Sequence, residues 1–302
     1  MSATTTERPT TRLRRLMAQP GCVMTPGAAD AFTARMIARA GFDAIHMTGF
    51  GTSIGRLGMP DIGLLTASEM IDNASRIYDA SGLCIVADAD TGYGNAMNVR
   101  RTVRDYEKAG VAALHLEDQV APKRCGHLAG KRVIPAQEMV GKIKAACDAR
   151  HDPDLVIIAR TDVLAIEGME AVFERSHQYR EAGADMIFVD APVGLDQMHA
   201  IARGLKGIPL FANIAASGKT PDIPAKELGE MGFKIAIYAN FAILSAIPAI
   251  EKMLGELKRR GSLSHIASTL ATTEHIAQIA GIDEYHELEG RYGPAGHASA
   301  LE

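Results

Sequence analysis

Along most of the chain, short apolar runs alternate with longer stretches whose apolar positions recur every three to four residues. These are the patterns of buried strands and of helices with one buried face. One junction recurs four times: a helical stretch ends at a glycine and an apolar run follows at once. It occurs at Ala40-Gly41, Ala109-Gly110, Ala182-Gly183 and Met231-Gly232. A left-handed glycine closes a helix at little steric cost, and a run apolar at every position suits a strand covered on both faces. Further runs at Cys22–Thr25, Cys84–Asp88, Leu155–Thr161 and Ile208–Asn213 complete a set of about eight parallel strands. Thr66-Ala-Ser-Glu69 reads as a capping box opening a helix with Met70, Ile71, Ala74, Ile77 and Tyr78 on one face. Helical patterning also covers Asn98–Ala109, Ala136–Arg150, Met169–Ala182 and Phe241–Arg260.

This alternation predicts an α/β fold, a (β/α)8 TIM-type barrel with a C-terminal helical extension; a doubly wound open sheet is the structural alternative. The expected divisions are a mobile segment over 1–11, the barrel over 12–260, a helical extension over 261–292 and a mobile tail over 293–302. The stretch Leu263–Tyr292 reads as helical, too short for a domain, and is expected to pack on the barrel or on a neighbouring subunit.

Composition narrows the function classes. Of 302 residues 47% are hydrophobic and 23% charged, a globular balance that excludes a disordered chain or a coiled coil. A net charge of −4 offers nothing to a nucleic-acid backbone. Aromatics are 5% and Trp is absent, which argues against a stacking surface. No apolar run approaches the roughly 20 residues that span a bilayer, and the polar start predicts no secretory signal. Four cysteines are too few for a disulfide scaffold, so a cytoplasmic protein is expected. Cys22, Cys84 and Cys147 fall in strand or helix patterns and read as buried fillers.

The chemistry collects at strand ends: Asp88-Ala-Asp90, His115-Leu-Glu117-Asp118, Arg160-Thr-Asp162, Asp190 and Asn213. In a barrel these ends share one mouth. Asp88 and Asp90, two apart, can both face the axis as the strand runs out, and paired carboxylates there call for a proton or a cation. With Glu117 they offer hard oxygen ligands suited to Mg2+ or Mn2+ through waters; the plainer alternative is that they cap helices. The loop Lys123-Arg124-Cys125-Gly126-His127 sets a thiol among cations and a histidine, an arrangement for proton exchange near neutrality, or is simply a basic surface loop. No second Cys/His pair has zinc-finger spacing. Gly49-Phe-Gly51-Thr-Ser-Ile-Gly55 is one residue too long for a dinucleotide fingerprint, and Gly218-Lys219-Thr220 lacks the first glycine of a P-loop. The Thr48–Gly51 turn is either a carboxylate cradle or a simple tight turn.

Taken in order, His46-Met-Thr-Gly49, Leu57-Gly-Met-Pro-Asp61, Asp88-Ala-Asp-Thr-Gly-Tyr-Gly94, Glu117-Asp-Gln, Lys123-Arg-Cys-Gly-His127, Ala159-Arg-Thr-Asp162 and Gly218-Lys-Thr-Pro221 resemble the isocitrate lyase/phosphoenolpyruvate mutase superfamily. The likeness runs from about Arg12 to Arg291. The Cys loop points to the branch of 2-methylisocitrate lyase, 2,3-dimethylmalate lyase and carboxyphosphonoenolpyruvate mutase. The resemblance implies a barrel whose last helix is exchanged between subunits of a homotetramer, Mg2+ as cofactor, and a substrate with a 2-oxo or 2-hydroxy acid core. It places Asp61, Asp88, Asp90 and Glu117 at the metal. Thr48, Gly49 and Arg160 fall on the keto-acid cradle, Cys125 on the general acid of the lyases, and His127, Asn213 and Asp190 on the substrate pocket. Phe50 stands where lyases carry Gly, Ala or Ser, Asp190 where Glu is usual, and Ala216 in place of an acid, so the substrate is the point of departure.

The expected activity is Mg2+-dependent cleavage of a carbon–carbon bond in a 2-hydroxy di- or tricarboxylate, giving pyruvate or glyoxylate and a second carboxylate. Cys125, Arg160 and His127 are the expected catalytic residues. Thr48, Gly49, Phe50, Lys123, Arg124, Gly126, Asp190 and Asn213 are expected to bind substrate, with Lys123, Arg124 and His127 on the leaving carboxylate. A phosphonomutase of the carboxyphosphonoenolpyruvate type is the alternative enzyme, and a barrel that only binds ligands is the non-enzyme one.

Overall fold

The computed structural model describes residues 7–126, 130–215 and 220–293. Helix α1 (Pro9–Ala18) precedes eight strands, β1 (Val23–Ala28), β2 (Ala44–Met47), β3 (Cys84–Asp88), β4 (Val111–Glu117), β5 (Val156–Thr161), β6 (Met186–Val189), β7 (Leu210–Asn213) and β8 (Phe233–Tyr238). They pair in sequence order, all parallel, and close when β8 pairs with β1. The expected barrel is therefore the fold, and the open-sheet alternative is excluded. Between strands run α2 (Ala31–Arg39), α3 (Gly49–Thr52), α4 (Ala67–Ser81), α5 (Ala96–Lys108), α6 (Ala136–Ala149), α7 (Leu164–Glu167), α8 (Met169–Glu181), α9 (Gly194–Gly204) and α10 (Ala225–Met231).

The sequence signals have visible causes. Thr66 and Glu69 form the reciprocal capping box at the start of α4. Gly110 follows α5 at φ +85°, and a Cβ there would lie 2.5 Å from the Tyr78 ring, so both backbone and packing demand glycine. Alternation along each strand splits the core in two. Ile85, Leu114, Leu116, Ile157 and Ile187 pack outward under the helices, while Val86, Ala113, Ile158, Phe188, Phe211 and Ile235 fill the barrel. Leu13 of α1, fully buried, joins the interior cluster.

Helix α1 begins at Pro9, inside the segment expected to be mobile through residue 11. Pro suits the first helical turn, and the Thr10 and Thr11 hydroxyls donate to Asp152 (2.7 Å) and Asp154 (2.6 Å). Residues 1–6 and 294–302 lie outside the described residues. Cys84 is buried, but Cys22 and Cys147 are only half-buried. Cys22 directly precedes β1, and Cys147 lies in the last turn of α6.

The chain divides into compact units over 1–244 and 245–302. Helix α11 (Phe241–Arg260) runs across that division; α12 (Thr273–Ala280) and α13 (Ile282–Tyr292) follow in the second unit. The stretch expected to be helical, Leu263–Tyr292, holds α12 and α13, and between Arg260 and Thr273 its one helical piece is a 3-10 turn, Ala267–Thr269. Ser262, Ser264 and Thr269 hydroxyls make local bonds there, and Thr272 caps α12, an alternative to continued helix.

Candidate active site

Every second strand residue faces the barrel axis. His46 of β2 is thus followed by Thr48, Val86 of β3 by Asp88, His115 of β4 by Glu117, Ile158 of β5 by Arg160, Phe188 of β6 by Asp190 and Phe211 of β7 by Asn213. The barrel's apolar filling changes to polar groups within its last layer. The pocket there is walled by His46, Thr48, Phe50, Asp61, Asp88, His115, Lys123, Cys125, Gly126, Arg160, Asp190, Asn213, Ile237, Ala239 and Asn240, and its free volume is about 40 Å3.

Arg160 is the hub. Its guanidinium lies 3.1 Å from Glu117, holds Asp162 through two bonds of 2.9 and 3.1 Å, and donates to Asp190 at 3.1 Å. Phe188 lies beneath it, 5.2 Å from Cζ to the ring centroid. Lys131 adds a second cation, 2.7 Å from Asp162 and 3.9 Å from Asp190. Lys123 is buried with Nζ 2.5 Å from Asp61 and 2.9 Å from Asp90.

Asp90 does not continue the strand as expected. Strand β3 stops at Asp88, and Asp90 takes φ +46°, the left-handed region that Asp tolerates better than most residues. Its N–H donates to Asp88 Oδ1 at 3.0 Å, and its own carboxylate turns across to Lys123. Thr48 caps the four-residue α3, accepting from the Gly51 N–H at 3.1 Å, and donates to Asn240 at 3.4 Å. The turn is therefore a helix start. A Cβ on Gly49 would stand 2.5 Å from Asp88 Oδ2, and one on Gly126 would fall inside the Asp190 carboxylate. Both glycines allow close approach of backbone to the acids.

Of the residues singled out in the sequence, Thr48, Phe50, Asp61, Asp88, Lys123, Cys125, Gly126, Arg160, Asp190 and Asn213 line the pocket. Gly49, Asp90 and Glu117 touch its wall. Arg124 is exposed and does not line it. His127 and Ala216 lie outside the described residues. Lys123 spends its ammonium on Asp61 and Asp90 at the pocket wall. His115, already marked at its strand end, and His46, part of the matching His46–Gly49 motif, stand at the pocket without an expected role; Lys131, Ile237, Ala239 and Asn240 were not anticipated. Period-two counting back from Thr48 and Glu117 exposes the two histidines; the others carry no local signal.

The electrostatics favour a cation. Among the described residues, six carboxylates (Asp61, Asp88, Asp90, Glu117, Asp162, Asp190) meet three cations (Lys123, Lys131, Arg160). Burial alone raises Asp88, but His115, Lys123 and Arg160 outweigh it and hold its carboxyl below the usual range. Burial, reinforced by Asp88 and Asp61 against the opposing pull of Lys123, pushes Asp90 up to about 6. Glu117 is raised well above its ordinary value, burial outweighing Arg160. Neither Glu117 oxygen, nor Asp90 Oδ1, accepts a well-directed hydrogen bond despite the nearby cations. Such groups fit a divalent ion with oxygen ligands. No three His, Cys, Asp or Glu side chains among the described residues converge as a direct cage, so the fit is to an ion that keeps much of its water. Below the acids His115 makes no hydrogen bond through either ring nitrogen, its Nδ1 lying 3.7 Å from Asp88 Oδ1, and it stacks on His46 with centroids 5.5 Å apart. Burial lowers both imidazoles, to about 3 and about 4.

A phosphoenolpyruvate phosphomutase family model matches residues 13–258. The 2,3-dimethylmalate lyase of Eubacterium barkeri is 44% identical over 93% of this chain and 97% of its own. The 2-methylisocitrate lyase of Aeropyrum pernix is 41% identical, covering 94% and 90%. The chloroplastic carboxyvinyl-carboxyphosphonate phosphorylmutase of Arabidopsis thaliana is also 41% identical, covering 95% and 86%. Among solved structures, a 2,3-dimethylmalate lyase superposes with a TM-score of 0.92 at 37% identity, covering 98% of this chain and 99% of that one. A phosphonopyruvate hydrolase in complex with oxalate and Mg2+ superposes with a TM-score of 0.87 at 29% identity, covering 95% and 99%. No helix among the described residues is long and apolar enough to cross a membrane. With its barrel, its acid-lined mouth and this match over most of its length, the chain belongs to the phosphoenolpyruvate phosphomutase family, within the isocitrate lyase/phosphoenolpyruvate mutase superfamily.

Proposed function

We propose that this protein is a divalent-metal-dependent carbon–carbon lyase acting on a 2-hydroxy di- or tricarboxylate of the 2,3-dimethylmalate or 2-methylisocitrate type. The observation that carries the reading is the meeting of Cys125, Arg160 and the crowded acids around one pocket. Asp88, Asp90, Glu117 and Asp61 would hold Mg2+, or Mn2+ in its place, largely through waters. Bound there, the ion would polarise the 2-oxygen and neutralise charge developing on it.

Arg160 supports this as the donor to the keto-acid carboxylate, with its guanidinium oriented by Asp162 and Asp190. Thr48, Gly49 and Asn213 frame the same end. Deprotonation of the 2-hydroxyl and rupture of the adjacent C–C bond leave a keto acid and a carbanion conjugated with the second carboxylate. Cys125 protonates that carbon, the thiol proton being the one gained by the product; the 2-hydroxyl proton passes to solvent and the thiolate regains one from solvent, so the reaction is proton-neutral. Phe50, Ile237 and Ala239 give the pocket some apolar lining. It suits a methylated or hydrogen-substituted carbon better than a charged group.

The assembly we propose is a homotetramer with exchanged C-terminal helices. On the barrel unit an apolar groove of about 460 Å3, lined by Met24, Pro26, Met36, Phe42 and Tyr238, lies open. On α11, Ile247, Ile250, Leu254 and Leu257 remain exposed in the single chain. Apolar surface on both sides is what an exchanged helix would cover. Thiols without disulfides suit a reducing cytoplasm.

The test is a screen of 2-hydroxy di- and tricarboxylates with Mg2+, reading pyruvate and glyoxylate separately. Turnover of at least one is expected. Tight keto-acid binding with no turnover of any would overturn the lyase reading.

A further inference from the structure

Three consecutive residues leave β4 for three different tasks. Glu117 reaches Arg160 in the pocket. Asp118 is fully buried elsewhere, accepting from Thr161 (2.8 Å), the Asp162 N–H (3.0 Å) and the Tyr179 hydroxyl (2.8 Å). Gln119, 1% exposed, commits its whole amide to one residue of the Cys loop. Its Nε2 donates to the Arg124 carbonyl at 2.9 Å, and its Oε1 accepts the Arg124 N–H at 3.0 Å. The Gln119 backbone is itself anchored: it bridges Val133 in antiparallel fashion, and the next N–H, of Val120, donates to Arg132 O at 2.8 Å.

We propose that Gln119 is a positioning residue whose amide latches the Lys123–Gly126 segment in place and so sets Cys125 on the pocket. Asp61 and Asp90 also hold this segment, through the two ion pairs of Lys123 and the Cys125 N–H on Asp61 O at 3.2 Å. Gln119 does not line the pocket and holds the segment one residue before the thiol. A primary amide presents a donor and an acceptor side by side, and so copies a backbone strand pair. Ionised glutamate, the same shape, presents only acceptors and opposes the Arg124 carbonyl; leucine presents neither. What Cys125 does chemically rests on the lyase reading above; the latch does not.

The experiment measures iodoacetamide modification of each cysteine by peptide mass spectrometry in the full chain, comparing wild type with Gln119→Glu, Gln119→Leu and Gln119→Asn. Cys22, Cys84 and Cys147 report on the fold. Loss of two hydrogen bonds to the segment should raise the Cys125 rate by about tenfold or more in the Glu and Leu variants, and in Asn, which is one methylene too short. The other three thiols should keep their rates. On a substrate from the screen, kcat should fall with KM little changed. Cys125 rates at the wild-type level in folded variants would overturn the latch, and so would a parallel rise at all four thiols, which marks a general structural role. Faster Cys125 modification with undiminished turnover would support the latch and overturn the acid role of Cys125.

Discussion

Gly49→Ala should separate function from stability at the acid cluster. Gly49 opens α3 outside the left-handed region, so alanine can adopt its backbone, and helix propensity favours alanine by up to about 1 kcal/mol. Its Cβ, however, would lie 2.5 Å from Asp88 Oδ2, while real Cβ atoms essentially never come within 3.0 Å of a neighbour. The carboxylate must therefore move by at least 0.5 Å. It is not at liberty to swing, because Oδ1 accepts the Asp90 N–H at 3.0 Å and thereby supports the left-handed turn at Asp90. Losing that bond costs about 1 kcal/mol, which offsets the helix gain, and the melting temperature should move by no more than a few degrees. Misplacement of reacting groups by up to an ångström costs about 10²-fold in rate. Calorimetric melting, Mn2+ titration and turnover on the same preparation check this. Expected are a near-native melt, metal affinity weakened about tenfold and turnover down about 10²-fold. Wild-type metal affinity and turnover would refute the steric argument, and wholesale unfolding would refute the cancellation.

Excess chelator should abolish activity, and Mg2+ or Mn2+ should restore it; full activity in chelator would remove the metal from the mechanism. Cys125→Ser should lower turnover by about 10²–10⁴ with Mn2+ affinity unchanged, and wild type in D2O should place solvent deuterium on the cleaved carbon. Burial holds His46 at about 4 against an ordinary 6.5, so below pH 6.5 the unfolded chain takes up a proton that the folded chain refuses. Stability should fall as pH drops from 6.5 to 4, by up to about 3 kcal/mol from this group, and His46→Gln should flatten that part of the urea-midpoint profile. Truncation at Gly261 should yield dissociated or aggregated protein by light scattering; a soluble, active monomer would contradict the exchanged-helix assembly.

Taken alone, the sequence determined the parts of this protein that depend on local periodicity. Glycines after helices marked where β2, β4, β6 and β8 begin, because only a left-handed residue turns the chain there without strain. Acids and Arg160 at strand ends marked the mouth, because parallel strands closed in a ring share one end. The resemblance added the roles of Cys125 and the acids. Tertiary structure decided what depends on groups far apart in the chain. Asp61 and Asp90 meet only through Lys123, and no spacing in the sequence joins residues 61, 90 and 123. Arg124, adjacent to two pocket residues, faces away from the pocket while Lys131 arrives in the site from further along the loop. Gln119 reads as one more polar residue until the fold brings the Arg124 backbone within reach of its amide. Periodicity reports which face a side chain takes. Which other side chain it meets is set by closure of the barrel and the path of the loops, a long-range outcome that no local pattern encodes.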